Sequence, residues 1–524
     1  MNLKLFIITG LISSFSFSQT PIINRTMSVN NLTINASSDG TIHYDGLFST
    51  SQMPSGDSLT CNFLENLWMG GIDENAELRL AGQTYRQGGS DFWPGPVGDT
   101  YDQDFETTYN NVWHLKKVDI ENHRLNYSSI GYIVPDDIAN WPANGNVSNG
   151  ENLRLAPFSD INNNDIYEPE LGDFPLIRGD EAMFIIYNDQ RENHGSSGGQ
   201  KIKAEIHLMI YAYDTDDFNK NVYYMHYDIY NRNQTLSFSN FTVSNFNDFD
   251  LGLAWDDFNG THVTENMVYV YNGDSIDEDN YGQNPPIYAT KLLNMDMTSS
   301  ISFNNSSNLF NGSPGLYYDY FNYMKGKWKT GGSIINPIDS SITNFILPGD
   351  SDTTNQANWS EINLGNVPGD RRMLLTTNIT NFSPDQPICL DYAGIYVRDT
   401  TVFGLDQIES LVNVSQQVQN FYDNQYIDCQ DVSDLSLIDE IDNSDIGQVS
   451  LFQFDQTLEI TLKEPLDFDL QITITDALGK QLYSNTLESN EMNKTINTSQ
   501  ISSQIVFVTL QSKNSAYSNK VIIK

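Results

Sequence analysis

The sequence predicts a mainly β protein: one large or two medium β-rich, sandwich-like domains, followed by a small C-terminal β-sandwich. Three observations predict this. Residues 203–213 and Val222–Asn231 are rich in Tyr, Ile and Met alternating with polar residues, and the acidic turn Asp214-Thr215-Asp216-Asp217 separates them. Residues 448–524 carry a second series of short runs. Leu458-Glu459-Ile460-Thr461-Leu462 and Leu470-Gln471-Ile472-Thr473-Ile474 alternate, Ile505-Val506-Phe507-Val508 is a buried-type run, and a last strand begins near Val521. Only one stretch has a convincing helical signature. Asp406 can cap it, Glu409 stands at the capping-box position, and Ile408, Leu411, Val412, Val418, Phe421 and Tyr422 share a stripe that reads as core packing.

Composition bounds the function classes. The 524 residues include 27 Lys+Arg against 68 Asp+Glu, a formal charge of -41. A surface this acidic repels phosphate backbones, so no nucleic-acid partner is expected. Hydrophobic residues at 39% and aromatics at 12% are enough for real cores, which separates the chain from an acidic disordered tail. No repeat with a period of roughly 20–50 residues is present, so the body is not a solenoid.

Residues 1–18 read as a signal peptide. Lys4 supplies the positive start, Leu5-Phe6-Ile7-Ile8 opens a short apolar stretch, and Ser16-Phe17-Ser18 offers small residues for cleavage before Gln19. Gly10, Ser13 and Ser14 break the stretch, and it is too short to remain as a membrane anchor. No later run approaches the roughly 18 apolar residues of a spanning helix, so no membrane span is expected in the mature chain. Residues 19–429 form the β-rich body, and the acidic stretch 430–447 suits a linker that a protease can reach. Among the cysteines, Cys389 and Cys429 are the closer candidates for a disulfide in an exported protein, with one thiol left over from Cys61, Cys389 and Cys429.

The C-terminal unit, residues 448–524, contains Ile474-Thr475-Asp476-Ala477-Leu478-Gly479-Lys480 and ends on Ser518-Asn519-Lys520-Val521-Ile522-Ile523-Lys524. This pattern of an Asp-x-x-Gly-Lys turn and a terminal Lys-hydrophobic-hydrophobic segment resembles the sorting domain of type IX secretion substrates. Leu451-Phe452-Gln453-Phe454 stands where that family usually opens with Tyr-Pro-Asn-Pro. The resemblance implies type IX secretion machinery as a partner, passage across the outer membrane through the periplasm, and release or surface attachment after the domain is cleaved. In the body, Leu67-Trp68-Met69-Gly70-Gly71, Gln83-Thr84-Tyr85-Arg86-Gln87, Asp91-Phe92-Trp93-Pro94-Gly95-Pro96, Trp141-Pro142-Ala143-Asn144-Gly145 and Gly369-Asp370-Arg371-Arg372 stand out. They resemble a family of large secreted bacterial proteins of unassigned function that end in the same sorting domain. That likeness implies export and architecture and names no reaction.

The strongest chemical motif is the loop from Asp160 to Asp173. Calcium wants six to eight oxygens, which side chains at loop positions 1, 3 and 5 and a carbonyl at 7 can supply. Here these are Asp160, Asn162, Asn164 and the Ile166 carbonyl, with Glu168 at position 9. Position 12 is Leu171, so Asp173 or Glu170 must provide the closing carboxylate. Two Asn in place of Asp lower the ligand charge and predict an affinity on the order of 10⁻⁴ to 10⁻³ M. The other reading is an Asx-rich turn held by side-chain-to-backbone hydrogen bonds. Two further acidic stretches, 247–260 and 272–282, are solvated loops or irregular cation sites.

Catalytic constellations fail on context. Gly195-Ser196-Ser197-Gly198-Gly199 matches a nucleophile elbow, yet a polar loop precedes it and a strand follows, so it reads as a flexible loop. No His-Glu-x-x-His occurs, and His262-Val263-Thr264-Glu265 has no later histidine to complete a zinc site. His207 and His226 fall inside strands as packing residues. Lys325-Gly326-Lys327-Trp328-Lys329 is a basic-aromatic cluster that reads as an ordinary turn or as a contact for an anionic glycan. The leading expectation is a calcium-stabilised binding or adhesion protein for extracellular glycan or another cell surface. The alternatives are a glycan hydrolase using paired carboxylates, with Asp256 or Asp257 and Glu168 as the pair to examine, and a passive surface-layer protein.

Overall fold

The computed structural model describes residues 21–425 and 449–523, apart from 86–88, 279, 350–357, 385, 455–456, 463–464, 467, 477–479, 502–503 and 513–515. The predicted leader at 1–18, Cys429 and the connector at 430–447 lie outside the described residues.

Two antiparallel sheets build the body. The larger has nine strands, running in space from Asp257–His262 through Met267–Asn272, Ile287–Leu292, Ile388–Val397, Val222–Asn231, Ala204–Ala212 and Glu181–Asn188 to Trp93–Pro94, with Trp113–Lys116 also pairing Glu181–Asn188. The smaller has five, in the order Ser299–Asn304, Arg371–Phe382, Phe238–Phe249, Leu64–Asp73 and Leu78–Ala81. The predicted strand Val222–Asn231 is observed with those bounds, and that at 203–213 is observed as Ala204–Ala212.

Period-two alternation feeds two cores from one sheet. In Ala204–Ala212, Ile206, Leu208 and Ile210 join a core shared with the smaller sheet, while Met209 and Tyr211 join a second core on the opposite face. Glu181–Asn188 does the same, with Met183, Ile185 and Tyr187 on one side and Phe184 and Ile186 on the other. The second core is closed by helices Gln103–Tyr109, Lys117–Asn126 and Ile408–Asn424, which contribute Phe105, Ile120, Leu411 and Val418. Each such side chain contributes roughly 1.5–3 kcal/mol on burial, so both faces of the large sheet are stabilised by apolar area.

The helix Ile408–Asn424 buries the predicted stripe, with Leu411, Val418 and Tyr422 buried and Ile408, Val412 and Phe421 packed against the same core. Its start differs from expectation. A 3₁₀ turn, Gly404–Gln407, precedes it, so Asp406 lies inside that turn and the N-cap is Gln407, without a side-chain cap bond. Gly404 has φ +55°, and the turn it opens displaces the helix start past the capping-box register. Lys117–Asn126 was not foreseen, because only Ile120 and His123 of its ten residues are buried and its apolar stripe is thin.

Residues 449–523 form two small sheets. One holds Val449–Phe454, Thr457–Leu462 and Asn493–Asn497, the other Gln481–Leu487, Leu470–Asp476, Gln504–Gln511 and Ala516–Ile523. Their core is Leu458, Ile460, Ile472, Ile474, Val506, Val508 and Leu510 with neighbours from the same unit. Every second residue points inward at Leu458, Ile460 and Leu462, at Leu470, Ile472 and Ile474, and at Val506, Val508 and Leu510, giving the small sandwich that the alternation predicts.

Candidate functional site

The loop following the short strand Phe158–Ser159 is drawn tight by its own side chains. Asp160 Oδ2 accepts the Asp165 backbone amide at 2.6 Å, Asn164 Oδ1 accepts that of Ile166 at 2.8 Å, and Asn163 and Asp165 adopt φ +58° and +64°. The Nδ2 groups of Asn162 and Asn164 both donate to Glu168 Oε2, at 3.1 and 2.6 Å. Glu168 thus gathers the two Asn side chains, while Asp160 and Asn164 accept amides of the loop's own backbone, the bonding of an Asx-rich turn. Asp160 Oδ1 is shielded from solvent and has no hydrogen-bond partner among the described residues. Burial pushes its carboxyl up, but the amides of Asp165, Asn164 and Asn163 and the charge of Arg154 hold it below the usual range.

Asp173 plays a different part in that loop. It is fully buried, and its two oxygens accept the amides of Ile161 and Glu168, each at 2.8 Å. The carboxylate that meets the Asn side chains is thus Glu168, while Asp173 staples the two ends of the loop together. Ile166 is exposed. Asn162 and Asn164 present Nδ2 to Glu168, so the loop would offer a hard cation an all-oxygen set only with both amides turned.

The other acidic stretches meet in space. Ligand atoms of Asp248, Asp250 and Asp370 lie within 4.8 Å of one another, and the buried Arg372 guanidinium sits among them. Arg372 Nε is 3.0 Å from Asp248 Oδ1, Nη1 is 3.2 Å from Asp370 Oδ1, and Nη2 donates to Tyr85 Oη at 2.6 Å. Nearby, Asp257 Oδ2 accepts the Leu251 amide and Asp277 Oδ1 that of Leu253, so two carboxylates grip the 251–253 backbone. Burial, above all, pushes the carboxyls of Asp250, Asp256, Asp257 and Asp277 above their usual range.

His226, Asp228 and Cys389 also approach within 4.8 Å. Cys389 is disulfide-bonded, so it offers no thiolate to a metal, and Cys61 is a free buried thiol. His207 and His226 are buried on strands, as expected, but each faces a carboxylate rather than apolar neighbours alone. His207 Nε2 lies 3.0 Å from Glu205 Oε1, and His226 lies between Asp228 and Asp391. Burial pushes Glu205 up, but His207 and Arg232 prevail and hold it down to about 2.

Of the remaining sequence candidates, the glycine-serine stretch and the basic-aromatic cluster are occupied, while Asp256 keeps both carboxyl oxygens shielded without a hydrogen-bond partner among the described residues. Ser196 and Ser197 are buried and bound to Asp91, Ser197 Oγ donating to Asp91 Oδ2 at 2.5 Å, so the glycine-serine stretch is an anchored loop and not a flexible one. Lys325 Nζ donates to Thr242 and Asn378, Lys329 Nζ to the Ser313 carbonyl, and Trp328 packs on Phe310, consistent with the turn reading. Glu168 bonds within its own loop and Asp257 is buried on the 251–253 backbone.

Hollows open on the body among the described residues. A trough of about 690 Å³ is lined by Glu265, Lys291, Asn294, Gln416 and Gln419 under the helix Ile408–Asn424, with Lys291 and Glu265 paired at 3.2 Å. A smaller hollow of about 180 Å³ lies between the 37–46 segment and residues 83–85, over Leu64 and Asn66. Neither is lined by Glu168, Asp256 or Asp257. The residues of the second hollow were missed because they come from three separate segments. Gln83-Thr84-Tyr85 stands out in the sequence only as part of the motif Gln83-Thr84-Tyr85-Arg86-Gln87.

The family model for the secretion system C-terminal sorting domain (Por_Secre_tail) matches residues 454–524. No curated protein matches the chain. Among solved structures, it is similar to a duf3244 family protein with an immunoglobulin-like β-sandwich fold from Bacteroides vulgatus, at 18% identity over 15% of this chain and 85% of that one, with a TM-score of 0.14. It is also similar to the BSP domain of a biofilm associated protein, at 9% identity over 99% and 84% of the two chains with a TM-score of 0.15. A third likeness is to the β-glucuronidase of Parabacteroides merdae, at 8% identity over 48% and 30% with a TM-score of 0.11. Scores this low carry no argument about fold or activity.

Proposed function

We propose that this chain, a type IX secretion substrate whose C-terminal sorting domain sends it to the cell surface or the extracellular space, is a calcium-stabilised binding protein that holds extracellular glycan or another cell surface. One observation carries the calcium part of the reading. Glu168 gathers the side chains of Asn162 and Asn164 in the loop that Asp160 opens, and Asp160 keeps a shielded oxygen without a hydrogen-bond partner among the described residues. A divalent cation there would take that oxygen, turn the Asn amide oxygens inward and offset the carboxylate charge. Asp173, bonded to two amides, would hold the loop closed around it.

Delivery outside the cell and a hollow lined by tyrosines and hydrogen-bonding side chains support the binding part. Probing a glycan array with the full chain in millimolar calcium tests it. Hits that weaken after chelation are expected. An array blank in calcium would retire the glycan reading, and a melting temperature unchanged by chelation would retire calcium as a stabiliser.

A further inference from the structure

The hollow between the N-terminal arm and the strand Leu64–Asp73 is a built polar site. Its walls carry Asp39, Tyr44, Asp45, Asn66, Gln83 and Tyr85. The main chain holds this arrangement together: Ile42 and Glu65 exchange backbone hydrogen bonds at 2.9 and 3.1 Å, tying the arm to the strand. The Tyr44 and Tyr85 rings lie 6.1 Å apart at 47°, and each packs on Phe63. Their hydroxyls are engaged, Tyr44 donating to the Gly46 carbonyl and Tyr85 accepting from Arg372, so both rings are fixed in place.

Asn66 gives the second, independent indication of a ligand. It is only 3% exposed and lines the hollow, and its Nδ2 donates to the Gln83 carbonyl at 3.2 Å. Its Oδ1 is inaccessible to solvent and has no hydrogen-bond partner among the described residues. A buried amide oxygen left without a donor is costly, and a hydroxyl seated in the hollow would supply one once the Asn66 side chain turned its oxygen outward. Asp39 Oδ1 accepts the Thr41 amide at 3.1 Å, and burial raises its carboxyl above the usual range against hydrogen bonds from Thr41 and Gln83; Asp45 Oδ1 accepts the amides of Leu47 and Phe48 at 2.8 Å, which leaves that carboxylate further acceptor capacity.

Size and charge choose the ligand class. A volume of about 180 Å³ is roughly six times the ~30 Å³ share of a liquid water, and below the roughly 300–1,000 Å³ of sites for drug-sized ligands. That suits one ring rather than a chain of them. Asp39, Asp45 and Asn66 place carboxyl and amide oxygens in the walls, which calls for a ligand with several hydroxyl donors, and the Asp45 carboxylate repels an anionic one. Arg372, over the Tyr85 ring at 5.4 Å, is committed to Asp248 and Asp370. Tyrosine rings beside these acceptors offer an apolar surface to the C–H face of a sugar.

We infer that this hollow binds a single neutral pyranose ring, with sugar hydroxyls donating to Asn66 Oδ1, Asp39 and Asp45, and Tyr44 and Tyr85 packing against the ring. The inference rests on the glycan reading above and names its site. The test uses the full chain on a glycan array, with methyl pyranosides as competitors and two variants, Tyr44→Leu and Asp45→Asn. The second keeps the side-chain shape and guards against a folding artefact in the first. Expected are hits on neutral glycans, competition by a methyl pyranoside, and at least a ten-fold rise in half-maximal concentration for both variants at unchanged melting temperature. Hits that survive both variants undiminished would overturn this site while leaving the glycan reading intact. A wild-type array with no hits would remove that reading and this site with it.

Discussion

His226 Nδ1 lies 2.7 Å from Asp391 Oδ1, joining two neighbouring strands of the large sheet beneath the helix Ile408–Asn424. Tyr422 of that helix donates to Asp391 Oδ2 at 2.7 Å, and Asp228 Oδ2 faces the other imidazole nitrogen at 3.3 Å. Burial and the charge of Arg178 disfavour the imidazolium, but Asp391 and Asp228 prevail and raise the pKa to about 9. His194, buried between Asp189 and Asp91, is likewise raised to about 9 against the effect of burial.

Alkaline pH should therefore loosen the body before other groups titrate. A folded-state pKa above the unfolded value near 6.5 gives stability that is full below about pH 6.5 and is lost as pH rises through about 9. Each histidine contributes on the order of 3 kcal/mol on that basis. Thermal melts between pH 6 and 9.5 should show a falling Tm, and His226→Gln should be less stable at pH 6 with a shallower decline. A wild-type Tm flat over that range would refute the charged-histidine account.

Calcium should stabilise the body through the Asp160 loop alone, and weakly. With a Kd of about 10⁻⁴ to 10⁻³ M, 10 mM calcium adds roughly 1.5–3 kcal/mol, readable as a rise in Tm that chelation reverses. Asp160→Asn and Glu168→Gln should abolish the response while leaving the calcium-free Tm almost unchanged. Asp173→Asn should lower Tm even without calcium, because that carboxylate carries the Ile161 and Glu168 amides. Equal calcium responses in wild type and Glu168→Gln would move the ion elsewhere.

What was legible in the sequence was local. The alternation of Val222–Asn231 and Leu470–Asp476 gave strands, and the stripe from Leu411 to Tyr422 gave a helix, because each pattern repeats within one element. The meeting of Asn162 and Asn164 with Glu168 was local in the same way, since all three lie within seven residues. The ion pairs were not. Asp391 reaches His226 across 165 residues, and Arg372 reaches Tyr85 across 287, so only the sheet register brings them together. The Asn66 hollow likewise needs the Ile42–Glu65 pairing before its walls exist.

Arg372 should be among the costliest single positions in the body. Its guanidinium is buried among Asp248, Asp250 and Asp370, so Arg372→Met leaves three neighbouring carboxylates with no cation between them. Breaking a buried pair by removing one partner costs roughly 3–5 kcal/mol. Arg372→Lys should recover only part of this, because an ammonium cannot bridge Asp248 and Asp370 with the planar fork that reaches both. Chemical denaturation of the three proteins checks the order. Wild-type stability in the Lys variant would show that charge alone suffices.

The last prediction separates export from folding. The C-terminal sandwich has its own core, Leu458 to Leu510, and none of those residues belongs to either core of the body. Deleting residues 449–524 therefore removes no apolar contact from those two cores. Two outcomes are expected for the truncated chain in a type IX-competent host. It should accumulate in the periplasm, because the machinery recognises the segment that has been lost. Once purified, it should melt within about 2 °C of the full chain's body transition, since a stability change well under 1 kcal/mol moves Tm by no more than that in a body this size. Truncated protein in the culture medium would argue for a second export signal in the body, and a large fall in Tm would show that the sandwich braces it.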